Sequence, residues 1–331
     1  MMPRSLLSIL LFATLVFGAT LNSFAWDDVG HKISAYIAWR QMTPAARENI
    51  IRILRLAPDD SDIATFYFPY GAEPQAVRDR EYFELIATWA DIVRNYGLSP
   101  EQRKVFDDRF RKYNRANWHY SDTFWKQVNG KTDVVPAPEA SGLAVEKLAD
   151  FDRVMRNKDA SDRDKAVAIA WFMHLTGDIH QPLHASARIT DLEPKGDQGG
   201  NLFLLTPKGT PRADELNLHW FWDSIVGRNI PLKGETCDRE YLETLANAMI
   251  KKYPPAKLRG RLELGQYEKW KEESFALVPT DVFTPDLMRF EAPSVRYKRN
   301  ALRVAEQQLA LAGYRMGETL NSIFGSAVAG M

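Results

Sequence analysis

Two His-x-x-x-Asp pairs, His174/Asp178 and His219/Asp223, constrain this chain more than any other feature. Four-residue spacing puts both side chains of a pair on one face of a helix, where they can share one metal or two neighbouring ones. The chain has six histidines, and all fall in short aromatic or acidic motifs. His31 ends WDDVGH, His119 lies in WHYSD, His219 lies in NLHWFWD, and His174, His180 and His184 share HLTGDIHQPLH. Asp91, in WADIVR, adds another carboxylate. Histidines scattered for structural reasons do not cluster in this way.

Imidazole nitrogen with carboxylate oxygen suits zinc, whereas magnesium and calcium favour sites made of oxygen alone. The single cysteine, Cys237, cannot form an intramolecular disulfide and reads as a small apolar residue. Stability must come from packing and from metal. His180 lies two residues before Pro182 and off the His174/Asp178 face, so it is expected in a core or supporting hydrogen bond rather than as a ligand. Trp118, Trp171 and Phe172 are expected in the core.

Residues 1–25 read as a signal peptide: Arg4 in a basic start, an apolar run from Leu6 to Gly18, then Ser23-Phe24-Ala25 with small residues where signal peptidase reads. The run is too short to span a bilayer comfortably, and no later stretch approaches that length. Cleavage between Ala25 and Trp26 would leave 306 residues, 26–331, as one catalytic domain without a linker, and would expose Trp26 as a free α-amine. The formal charge of zero becomes −1, so bulk electrostatics neither demand nor exclude a nucleic-acid partner. The protein is expected secreted or periplasmic, a monomer without stable membrane association. The absence of an Asn-x-Ser/Thr sequon favours a bacterial periplasm or medium over a eukaryotic secretory route.

Apolar residues recur at three- and four-residue spacing from end to end, which predicts an all-α, single-domain multi-helix bundle with at most a short β-hairpin. Thr43-Pro44 opens a helix through about Ala57, and Ser99-Pro100-Glu101 repeats that device. Ser161 starts a helix that runs into the histidine-rich motif, and Pro182 places His184 where that helix ends or bends. A long closing helix is expected from about Ser294 to Phe324. The glycine-rich segment Lys195 to Asn201, with Leu202 to Thr206 after it, reads as a loop carrying the one short hairpin.

These motifs, with GDQGGN, WKEES and the terminal LAGYRMGETLNSIF, give the chain a resemblance to the S1/P1 nucleases over nearly all of residues 26–331. That resemblance implies a helical fold of the zinc phospholipase C and P1 nuclease type with three zinc ions. By it, Asp91, His119, His174 and Asp178 would hold the first ion, and His184, His219 and Asp223 the second. His31, Asp178 and the α-amine and carbonyl oxygen of Trp26 would hold the third. An α-amine suits this role, since its proton is weakly held near neutral pH.

The resemblance also implies endonucleolytic hydrolysis of single-stranded RNA and DNA to 5′-phosphorylated products, with 3′-nucleotidase activity. Water shared by the first and third ions would attack phosphorus, oriented or deprotonated by Asp91, while the second ion would stabilise the leaving 3′ oxygen. Arg94, one turn after Asp91, is placed to contact the phosphoryl oxygens. Tyr120 and Asp122 match the base pocket as stacking ring and hydrogen-bond acceptor, and Asn201 adds a contact from its glycine loop. Zinc phospholipases C are the rival. Their first histidine lies further from the starting tryptophan, and they carry glutamate where Asp223 stands. A non-catalytic periplasmic zinc protein would need the same ligands without Arg94 or a base pocket.

Overall fold

The structure, a computed structural model, describes residues 26–94, 111–233 and 237–326. The expected signal peptide and the Ser99-Pro100-Glu101 helix start lie outside the described residues.

Helices dominate the described residues, as the spacing predicts, and several begin where a side chain satisfies the orphan N–H groups of the first turn. Asp27 opens α1 (Asp28–Gln41) by accepting from the Gly30 N–H, and Thr43 opens α2 (Pro44–Leu54) by accepting from Ala46. The second helix stops short of Ala57 because Pro58 disfavours helical geometry in the residue before it. Next come α3 (Gln75–Ile86), the short α4 (Trp89–Ile92) and α5 (Ala144–Arg156). Ser161 caps α6 (Asp162–Asp178), whose last residue is the second carboxylate of the first pair. Pro182 then starts a 3-10 turn, Pro182–Ala185, that holds His184. Asn217 caps α7 (Leu218–Asp223), followed by α8 (Ile225–Asn229), α9 (Asp238–Lys252), α10 (Pro255–Leu258) and α11 (Tyr267–Ala276). Ser294 caps the 30-residue α12 (Val295–Phe324), as expected.

Two hydrophobic clusters fill the interior. One gathers α2 to α6 around Phe83, Trp89, Trp171 and Phe172, and the other gathers Trp26, Trp125, Trp222 and the apolar faces of α7 and α9. Burying a side chain such as Phe172 contributes roughly 1.5–3 kcal/mol. Trp171 and Phe172 lie in the core, while Trp118 is partly buried at its edge against Trp171. Helices α1 and α12 cross both clusters and pack directly on each other. Glycine permits that approach: a Cβ at Gly313 would lie 2.6 Å from the Ile37 Cβ, and one at Gly317 would lie 2.9 Å from the Ala38 carbonyl oxygen.

The hairpin lies elsewhere than expected. Strand β1 (Thr123–Val128) pairs antiparallel with β2 (Lys131–Val134), with Trp125 opposite Val134 and Val128 opposite Lys131. Residues 195–206 instead form turns with positive φ at Gln198, Gly199 and Gly200, and only an isolated bridge joins Leu204 to Asn217. A third strand, β3 (Ser186–Arg188), runs parallel to β1, with Thr123 opposite Ser186. This pairing brings the end of the Pro182–Ala185 turn beside the residues before β1, and the Ser121 N–H donates to the His184 carbonyl at 2.9 Å. No helix among the described residues is long and apolar enough to cross a membrane. Cys237 is exposed rather than packed.

Candidate metal centre and active site

The end of α6, the Pro182 turn, α7, the first turns of α1 and the segment before β1 converge in the interior. Three His/Asp groups result: His31 with His174 and Asp178; Asp91 with His119 and His174; His184 with His219 and Asp223. Within each, the candidate donor atoms lie within 4.8 Å of one another.

Backbone carbonyls decide how these imidazoles face. The Nδ1 of His184 lies 2.6 Å from the His119 carbonyl, and that of His219 lies 2.7 Å from the Gly199 carbonyl. Donation from Nδ1 leaves each Nε2 as a lone pair, and the two Nε2 atoms face each other at 3.1 Å. Two lone pairs at that distance in a buried site repel unless a proton or a cation lies between them. Asp223 brings its carboxylate to 3.4 Å from His219, and Oδ1 accepts from the Gln181 amide at 2.7 Å.

On the other side His174 alone repeats this carbonyl anchoring. His174 Nδ1 lies 2.8 Å from the Ala87 carbonyl, which turns Nε2 toward His119 Nδ1 at 3.0 Å. Asp178 Oδ2 lies 3.1 Å from His119 and 3.3 Å from His174, while Oδ1 reaches His31 at 3.3 Å. One carboxylate therefore touches both histidine groups on this side. His31 stacks on His174 with ring centroids 4.1 Å apart, and a Cβ at Gly177 would fall 2.7 Å from His31 Nδ1, so only glycine leaves room for that ring.

Burial is the dominant electrostatic influence. It lowers His31 and His119 well below the usual imidazole range and raises Asp178 and Asp223 well above the usual carboxylate range. The like charge of Asp91 pushes Asp178 further up, and Arg94 opposes it. Both His31 nitrogens, His119 Nε2, Asp178 Oδ1 and Asp223 Oδ2 are buried without a hydrogen-bond partner. A dry cluster of neutral imidazoles and destabilised carboxylates is the donor set that divalent cations relieve. The residues fit metal.

Asp91 sits at the rim, 15% exposed, while the other carboxylates are sealed. Arg94 follows α4 in a turn, is itself buried, and holds Asp91 Oδ1 at 3.3 Å. Trp26 is fully buried and packs on Gly30, the residue immediately before His31. The next N–H, of Asp27, donates to the Asp223 carbonyl at 3.0 Å and ties this segment to α7.

A match to the S1/P1 nuclease family spans residues 26–325. The chain belongs to that family. It is 23% identical over 315 residues to nuclease P1 of Penicillium citrinum and likewise to nuclease PA3 of a Penicillium species. Each alignment covers 92% of this chain and the whole of the relative. S1/P1 membership identifies the protein as a nuclease of mostly helical fold, whose substrates are nucleic acids.

The expected base-contacting residues adjoin the His/Asp groups along the chain, Tyr120 and Asp122 following His119, and Asn201 following Gly199. Tyr120 is half-buried with its carbonyl on the Ala144 N–H, and its hydroxyl is pushed up by burial and by Asp122. Asp122 is held well above the usual carboxylate range by burial and by the charge of Asp197, which burial itself raises to about 6. Asn201 is buried, donates to the Gln198 carbonyl at 2.8 Å and accepts from Asn217 at 3.4 Å, so much of its amide serves the loop. Sequence reasoning missed Gln181 and Asp197. The first was legible from its place between His180 and Pro182, and the second from the acidic residue that opens the glycine turn.

Proposed function

We propose that the protein, once processed to begin at Trp26, is a secreted or periplasmic zinc-dependent endonuclease with three zinc ions. It hydrolyses single-stranded RNA and DNA to 5′-phosphorylated products and acts on 3′-nucleotides. The observation that carries this reading is the pair of carbonyl-anchored imidazoles, His184 and His219, whose facing lone pairs lie 3.1 Å apart in the interior.

His119, His174, Asp178 and Asp91 would hold one ion; His184, His219 and Asp223 a second; and His31, Asp178 and the Trp26 main chain a third. Bound there, zinc would supply hydroxide at neutral pH and would neutralise charge on the departing oxygen. An amide nitrogen is a poor donor, so the peptide bond to Ala25 must be cut before Trp26 can ligate as an amine. Asp91, at the rim, orients or deprotonates the attacking water. Arg94 reaches past Asp91 to the phosphoryl oxygens as they gain charge. Tyr120 stacks an unpaired base, Asp122 hydrogen-bonds its edge, and Asn201 adds a contact through its second amide N–H.

Metal analysis of the processed protein, joined to digestion of single-stranded DNA, RNA and phosphatidylcholine with and without chelator, tests the reading. Expected are three zinc ions and chelator-sensitive loss of both nucleic acids with the lipid untouched. Lipid cleavage would make it a phospholipase C, and zinc without any cleavage a binding protein. Protein that retains Ala25, or carries an N-terminal tag, should bind one ion fewer and lose most activity. Full metal content and turnover without processing would overturn the role of Trp26.

A further inference from the structure

The buried group under the end of α6 has no part in the chemistry above, yet it joins the otherwise unassigned motifs WKEES and LAGYRMGETLNSIF. Arg315, on α12, is fully buried. Its Nη1 donates to His180 Nε2 at 2.8 Å, and Nη2 donates to the Arg261 carbonyl at 2.6 Å and pairs with Glu273 at 2.8 Å. Burial lowers the guanidinium to about 10 and Glu273 opposes that shift, so it stays charged at neutral pH.

A guanidinium only donates, so His180 Nε2 must accept and Nδ1 must carry the proton. Nδ1 then donates to the Thr176 carbonyl at 2.7 Å, between the two α6 donors His174 and Asp178. Neighbouring carbonyls that the helix leaves unpaired are taken up from the same side. Ser274 donates to Ile179 at 2.6 Å, and Gln308 donates to His180 at 3.1 Å. Side chains of α11 and α12 thus fix the short passage from Asp178 to Pro182, which links the end of α6 directly to the turn that holds His184.

We propose that Arg315 is a positioning residue for the metal cluster: by dictating the His180 tautomer it locks the end of α6 and sets the separation of Asp178 from His184. The inference rests on the metal reading of the site. Groups that orient ligands in this way typically change metal affinity about 10- to 100-fold.

The test is competitive zinc titration of the metal-free protein against a chelating dye, with thermal melting of the same samples. Arg315→Lys keeps the charge but loses the planar fork, and Arg315→Met removes both. Leu320→Ala, on the same helix and buried away from α6's end, matches the loss of packing. Expected is a 10- to 100-fold weaker zinc affinity in Arg315→Lys, and wild-type affinity in Leu320→Ala at a comparable melting temperature. Wild-type affinity in Arg315→Lys, or an equal loss in Leu320→Ala, overturns the inference. Absence of zinc binding by the wild type would instead sink the metal reading. Should Arg315→Met fail to fold, the lysine variant still decides.

Discussion

The two sides of the cluster are built differently. His184, His219 and Asp223 form a closed group: each side chain is sealed, each histidine is anchored on a carbonyl, and Asp223 is steadied by Gln181. On the other side one carboxylate, Asp178, touches His31, His119 and His174, and Asp91 opens the group to solvent with Arg94 beside it. A closed group suits steady binding of one ion. A shared carboxylate and an exposed edge suit ions that must admit water and phosphate.

The sharpest way to break this contrast is Asp178→Asn. Because two donor groups meet at that carboxylate, we expect loss of two ions and a fall in kcat/KM on the order of 10³-fold or more. His219→Asn should release one ion at smaller cost, and equal losses from the two variants would erase the distinction. Next in size, Arg94→Met should lower kcat about 10²- to 10³-fold with metal content unchanged, as expected for a group that acts on developing charge. Measured zinc loss in that variant would make Arg94 a support for Asp91 instead.

The smallest effect lies away from both sides. Burial raises Glu84, paired to Arg80, to about 8. The folded state therefore holds a proton that the unfolded chain gives up near the ordinary value of 4.5, so this residue's contribution to stability is lost as pH rises from about 4.5 through 8. Glu84→Gln should flatten the melting temperature between pH 5 and 9 while leaving zinc content alone. A wild-type slope in the variant would remove Glu84 as its source.

Much of the fold was legible because helix starts are local: Thr43, Ser161 and Ser294 each cap the helix their sequence context implies. Four-residue spacing put His174 beside Asp178 and His219 beside Asp223, whereas the meeting of the two pairs was legible only through the family resemblance. The segment 195–206 forms the expected loop but not the expected hairpin, because its run of positive-φ residues leaves only one isolated bridge rather than paired strands. The stronger signal was Asn129-Gly130, which adopt φ of 52° and 76° and match the tight two-residue turn between β1 and β2. The parallel partner β3 carries no comparable mark, since its pairing depends on residues some sixty positions away. Arg315 was equally opaque, because a buried arginine shows its purpose only through partners on three other segments.

Gly177 gives the cluster a vulnerability of volume rather than chemistry. One added methyl there displaces the His31 ring while every oxygen and nitrogen donor survives in the sequence. Such an edit would crowd a single berth and leave its neighbours furnished, so the contribution of each proposed ion could be parsed one at a time.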